Sequence, residues 1–258
     1  MTGASAPGKA LLCGEYAVLD GAPAVVAAVD RRVRVAWTDE RIAMSPEVEA
    51  TLRRAQVEVG AAGRALRVDA TDLHQDRIKL GLGSSAAAAA AAAGAVFASH
   101  GHDLADWTTL QRLFACALEG HSSIAPQGSG VDVAASTFGG FLRFERNDER
   151  VDTRRLEVPS ELHIRLIWTG QAARTSELVK KVKELQREDP SRYGACSARL
   201  AELSARFASA FCNGNAPGVV AEAAEYCAAM KALGDAAGAP ILEARLERAA
   251  ELAARFSG

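Results

Sequence analysis

The chain has 258 residues, 49% hydrophobic and 24% charged, with a formal net charge of -2. That suits a globular protein of one large domain or two smaller ones, with a core that needs no disulfide or metal staple. The charge balance offers no global field to nucleic acid or an anionic membrane. No basic segment followed by an apolar one opens the chain. The longest apolar stretch, Ala86 to Ala98, is too short and too alanine-rich to span a bilayer. The five cysteines, Cys13, Cys116, Cys196, Cys212 and Cys227, are odd in number and lack Cys-x-x-Cys spacing. They argue against a disulfide framework and against zinc. The expected location is cytoplasmic.

In chain order, strands are expected over residues 10–13, 24–29 and 32–37, the last with clean alternation. Asp20-Gly21 signals a turn. Residues 46–59 read as a helix with a polar face, and 66–70 as a strand. An alanine-rich helix is predicted over 86–99. Asp103 stands where an N-cap would, ahead of a helix running to about Glu119. Gly128-Ser129-Gly130 is a loop, and 139–144 and 163–168 are expected strands. An amphipathic helix covers 176–188. Helices then continue to the end, broken at 213–215 and 238–240. Strands early and helices late indicate an α+β architecture. The polar stretch Glu145–Arg155 suggests a boundary between a domain of residues 1–155 and another of 156–258.

The segment Lys79-Leu80-Gly81-Leu82-Gly83-Ser84-Ser85-Ala86 carries the most chemistry. Two glycines permit close backbone approach, and a long helix begins at once behind two serines. First-turn amides of such a helix have no intrahelical partner and, with the helix dipole, form an anion site. The serine hydroxyls can bond phosphate or offer oxygen to Mg²⁺. A glycine turn with a serine N-cap is the plain structural account of the same residues. The loop is neither a Walker sequence nor a dinucleotide fingerprint.

Gly81-Leu82-Gly83-Ser84-Ser85-Ala86-Ala87 resembles the second motif of the GHMP kinases, small-molecule kinases in which this loop wraps the phosphates of ATP. Ala6-Pro7-Gly8-Lys9-Ala10-Leu11-Leu12-Cys13-Gly14-Glu15-Tyr16 resembles the family's first motif, in the form that mevalonate-pathway kinases carry. The resemblance implies that Lys9 lies in the active site and polarises the transferring group or its acceptor, with Glu15 and Tyr16 on the substrate side. Gly128-Ser129-Gly130-Val131-Asp132 resembles the stretch bearing the family aspartate. It implies that Asp132 accepts the acceptor's proton, or orients the acceptor and balances charge. His121, Gln127, Ser129 and Gly130 are then substrate contacts. Ser84 and Glu119 are the magnesium ligands expected by analogy, although Glu119 lies two residues further upstream than in mevalonate kinases.

The same resemblance implies a two-domain fold with the active site between the domains, and ATP and Mg²⁺ as cofactors. It points to phosphorylation of 5-phosphomevalonate to the diphosphate. Gly-Ser-Gly before Asp132, the segment Ile167-Trp168-Thr169-Gly170-Gln171 with Thr175 and Ser176, and Ala237-Gly238-Ala239-Pro240-Ile241 favour that substrate over mevalonate. Arg174, Lys180 and Lys181 are candidate contacts for its phosphate. The alternatives are mevalonate kinase, the related decarboxylase, and a non-catalytic nucleotide or metabolite binder. The partner expected is a small molecule, with no nucleic acid and no membrane; a homodimer is compatible with the sequence. The family's glycine-rich third motif is expected after the helix at Leu246–Phe256. The chain stops there, at Ser257-Gly258, so the second domain reads as shortened.

Overall fold

The computed structural model describes residues 3–61, 64–76, 78–147, 150–170 and 175–254. The chain forms two compact units. One comprises Met1–Leu12 and Val25–Leu156, and the other Cys13–Ala24 and Glu157–Gly258.

The elements of the first unit are strands β1 (Ala4–Cys13), β2 (Ala24–Thr38), helix α1 (Pro46–Val59), and strands β3 (Ala65–Asp69), β4 (His74–Gln75) and β5 (Ile78–Lys79). Helices α2 (Ser84–Ser99), α3 (Trp107–Ile124) and α4 (Val131–Phe138) follow, then strands β6 (Phe141–Arg146) and β7 (Val151–Leu156). Among the described residues the main sheet has five strands in the order β1-β2-β6-β7, with β3 also paired to β2. The β2–β3 and β6–β7 pairings are antiparallel, with Trp37 opposite Leu66 and Phe144 opposite Thr153.

Helix α2 is the centre of this unit. Every residue from Ala86 to Phe97 is buried. A helix packed on by α1, α3 and α4 needs small side chains all round, and alanine supplies them with the best helix propensity. Helices α1 and α3 also pack on each other at very close range. A Cβ added at Gly120 would lie 2.5 Å from the Cα of Thr51. Helix α1 has the bounds its sequence predicts, because Pro46 opens it and Gly60 closes it in the left-handed conformation.

Several expectations differ from the structure: the strands expected at 24–29 and 32–37 are the single strand β2, and the helix expected to end near Glu119 runs to Ile124. Helix α3 starts after Asp106, whose carboxylate accepts the Thr109 N–H at 2.7 Å; Asp103 instead accepts the Ala105 N–H in the preceding turn. Two aspartates three residues apart satisfy the same preference, and the first is used for the turn. The polar stretch after Glu145 contains strand β7, whose charged residues suit the edge position it occupies. Residues 163–168 are not a strand: no described strand pairs with them, and Leu166 and Ile167 are exposed. A strand without a ladder partner has no hydrogen bonds to make.

In the second unit, α5 (Thr175–Glu188), α6 (Pro190–Cys212) and α7 (Ala216–Ala237) pack together, and α8 (Ala244–Ala254) follows. Residues 13–24 belong to this unit, with the 3-10 turn Ala17–Asp20 packed on α6. Among the described residues, no helix is long and apolar enough to cross a membrane.

Candidate active site

Strand β1 and the glycine loop before α2 are stitched together. The Lys9 N–H donates to the Leu82 carbonyl at 2.8 Å. Gly8 permits this approach, since a Cβ there would sit 2.6 Å from the Leu82 oxygen and 2.8 Å from a Leu73 methyl. Gly83 has φ +75°, and a Cβ on it would come within 3.0 Å of the Lys9 Cγ. The aliphatic stem of Lys9 therefore runs over Gly83.

Gly83 is also the N-cap of α2, and it supplies no side-chain cap. The Ala87 N–H bonds back to the Gly83 carbonyl at 3.0 Å. The amides of Ser84, Ser85 and Ala86 precede that first helical bond, so the helix itself offers them no acceptor. A positive loop end with a lysine stem laid across it suits an anion with several oxygens, such as a nucleotide's phosphates.

Helix α3 brings one further polar group to this loop. The Nε2 of His121 lies 3.4 Å from the Oγ of Ser85, and His121 is buried. Two residues along a helix is about 200° of rotation, so Glu119 points to the opposite face. There its carboxylate takes a 2.6 Å ion pair from Arg54, which also bonds Glu58, while Arg112 bonds Glu58 from α3. The structure thus gives the expected magnesium ligand Glu119 an arginine partner on α1. Among the described residues no group of three metal-ligating side chains occurs. Mg²⁺ carried by a nucleotide needs no such cage: it keeps waters and takes phosphate oxygens with one or two protein oxygens. The half-buried hydroxyl of Ser84, in the first turn of α2, is a donor of the right kind.

Asp132 lies in the first turn of α4, half-buried, with its Oδ1 accepting the Val133 N–H at 2.9 Å. The loop before it is held by Arg146 of β6, which donates to the Ser129 carbonyl at 3.0 Å; the Oγ of Ser129 accepts the Val131 N–H at 3.3 Å. Gly130 caps α4 in the left-handed conformation. Gln127 is exposed. Arg146 gave no sequence signal, since a charged residue ending a strand is ordinary.

Glu15 and Tyr16 belong to the second unit. Glu15 is exposed, Tyr16 is half-buried, and the Glu15 carbonyl accepts the Tyr226 hydroxyl at 2.7 Å. Lys180 stands 3.9 Å from Glu184, and the Nζ of Lys181 donates to the Gly238 carbonyl at 2.7 Å. Gln171, Arg174 and the chain-end residues Phe256, Ser257 and Gly258 lie outside the described residues, as do the side chains of Thr175 and Ser176.

A glycine loop at an uncapped helix start, crossed by a lysine stem on an α+β scaffold, is suited to an anion. Comparison with known proteins gives the class. Residues 49–140 match the family model described as the GHMP kinases N terminal domain. Phosphomevalonate kinase of Streptomyces sp. (strain CL190) is 31% identical, over 67% of this chain and 63% of that protein. Mevalonate kinase of Archaeoglobus fulgidus is 32% identical, over 72% of this chain and 65% of that protein. Among solved structures, the Lin0012 protein from Listeria innocua superposes with a TM-score of 0.85 at 20% identity, covering 99% of this chain and 85% of that one. Streptococcus pneumoniae phosphomevalonate kinase, in complex with phosphomevalonate and AMPPNP, gives 0.68 at 17% identity, covering 90% and 80%. The chain belongs to the GHMP kinase family. It spans just under two thirds of the length of the two curated relatives named here.

Proposed function

We propose that this chain is an ATP-dependent kinase of the mevalonate route that converts 5-phosphomevalonate to 5-diphosphomevalonate. The observation that carries this reading is the contact of Lys9 with the loop Leu82–Gly83 at the uncapped start of α2. Curated relatives named phosphomevalonate kinase and mevalonate kinase support the pathway.

In this reading the amides of Ser84, Ser85 and Ala86 hold the terminal phosphates of ATP, and the Ser85 hydroxyl, set by His121, adds a hydrogen bond. The Lys9 ammonium stabilises the charge that builds on the transferred group. Bound Mg²⁺ supplies charge neutralisation at the phosphate oxygens, and Ser84 is the residue to hold it. Asp132 orients the acceptor. A phosphate acceptor is already ionised near neutral pH, so positioning outweighs proton removal. Glu15, Tyr16, Gln127 and the Ser129–Gly130 loop are assigned to the acceptor.

Mevalonate itself is the second reading, favoured by the several mevalonate kinases among the relatives. The test is ADP release by the purified chain with ATP and Mg²⁺, each acceptor offered separately. Release with 5-phosphomevalonate alone is expected. Release with mevalonate alone assigns the other substrate, and ATP binding with no release for either marks a binding protein.

A further inference from the structure

Tyr16 has φ +64° and ψ -50°, and the Ala17 N–H donates to the Glu15 carbonyl at 2.8 Å. Together these define a three-residue γ-turn in its rare form with positive central φ. An aromatic residue is strained there, whereas glycine would be at ease. Strain of this kind persists only where the surroundings over-determine it.

The surroundings are visible within the second unit. The Glu15 carbonyl that closes the turn also accepts the Tyr226 hydroxyl, from a side chain only 6% exposed on α7. Burial pushes the Tyr226 phenol up, so it stays a donor. At the far end of the same loop, Asp20 accepts from Tyr193 at 2.7 Å and Ser197 at 2.6 Å, both on α6. The loop is gripped at both ends, and it displays an exposed carboxylate beside a phenol. Burial first, then the Glu15 charge, raises Tyr16 to about 12, so its hydroxyl stays a donor. A carboxylate offers only acceptors. That pairing suits a small hydroxy acid: the carboxylate takes the hydroxyl and the phenol takes an anionic oxygen.

We infer that Tyr226 is a positioning residue, which holds the Glu15–Ala17 turn so that Glu15 and Tyr16 meet the acceptor. This rests on the kinase reading above. The test compares the full chain with its Tyr226→Phe variant, which keeps the buried ring and loses only the hydroxyl. Amide hydrogen exchange reads the turn at Ala17, and titration reads Kd for 5-phosphomevalonate, mevalonate and ATP.

The expected result is Ala17 exchange faster by about tenfold and acceptor Kd raised by about fivefold or more, with ATP Kd unchanged within about twofold. Unchanged Ala17 exchange overturns the inference. Faster exchange with unchanged acceptor Kd overturns it too, since the turn is then only structural. A loss of ATP and acceptor binding together would mark general unfolding and contradict it. A parent chain that binds neither acceptor overturns the kinase reading and the acceptor half of this one, whereas unchanged exchange overturns this one alone.

Discussion

Lys9 and Leu82, seventy-three positions apart, are joined by a backbone hydrogen bond of 2.8 Å, and the Lys9 stem covers the glycine that follows Leu82. The bond fixes the first motif against the second without using either side chain. The backbone bond immobilises the strand without engaging the Lys9 side chain, which suits the preorganised role proposed for its ammonium group.

Gly8→Ala should break this stitch. The new methyl would meet the Leu82 oxygen at 2.6 Å, a backbone atom that has no easy retreat. We expect a stability loss of about 1–3 kcal/mol, the usual cost of overpacking. ATP binding should weaken as well, because the loop proposed to hold the phosphates must move. Denaturant unfolding and ATP titration on the same variant check both, and unchanged values for both would contradict the close approach.

Gly120→Ala tests the core away from the loop. Its methyl would strike the backbone of Thr51, 2.6 Å from the nitrogen and 2.5 Å from Cα. Helices α1 and α3 must then separate, at a cost of about 1–3 kcal/mol or more. A reduced unfolding midpoint is the expected outcome.

Much of this was legible locally. Helix α1 has Pro46 and Gly60 at its ends, and the loop before α2 shows its glycines and serines in order. What was not legible depends on partners distant in the chain. Glu119 looks like a free carboxylate until Arg54 arrives from α1. Residues 163–168 alternate like a strand but find no described neighbour to pair with. The polar run Glu145–Arg155 gives no sign of strand β7 within it, because the polar residues of a strand at the end of the described sheet look like those of a surface segment. No pattern marks Tyr16 for positive φ, and the hydroxyl bonded to this turn arrives from Tyr226 on α7, 211 positions after Glu15.

The Arg54–Glu58–Arg112 cluster gives a pH dependence. Hydrogen bonds from Arg112 first and Arg54 second hold the Glu58 carboxyl below its ordinary 4.5. With the folded value depressed, the unfolded chain binds more protons in that window. The stabilisation is thus complete above about 4.5 and is lost as pH falls through the folded value. Glu58→Gln should cost about 0.5–1 kcal/mol at pH 7, in the range of partly exposed ion pairs, and progressively less toward acid. Thermal unfolding of both proteins between pH 7 and pH 3 checks it; a constant gap across that range would contradict the assignment.

The most direct test of the central claim is ADP release from ATP, with Mg²⁺ and 5-phosphomevalonate, by the parent chain and its Lys9→Ala variant. The account predicts turnover by the parent and a fall of about 100-fold or more in the variant, with its circular dichroism unchanged. A variant that turns over at the parent rate would show that the lysine laid across the glycine loop has no part in the chemistry.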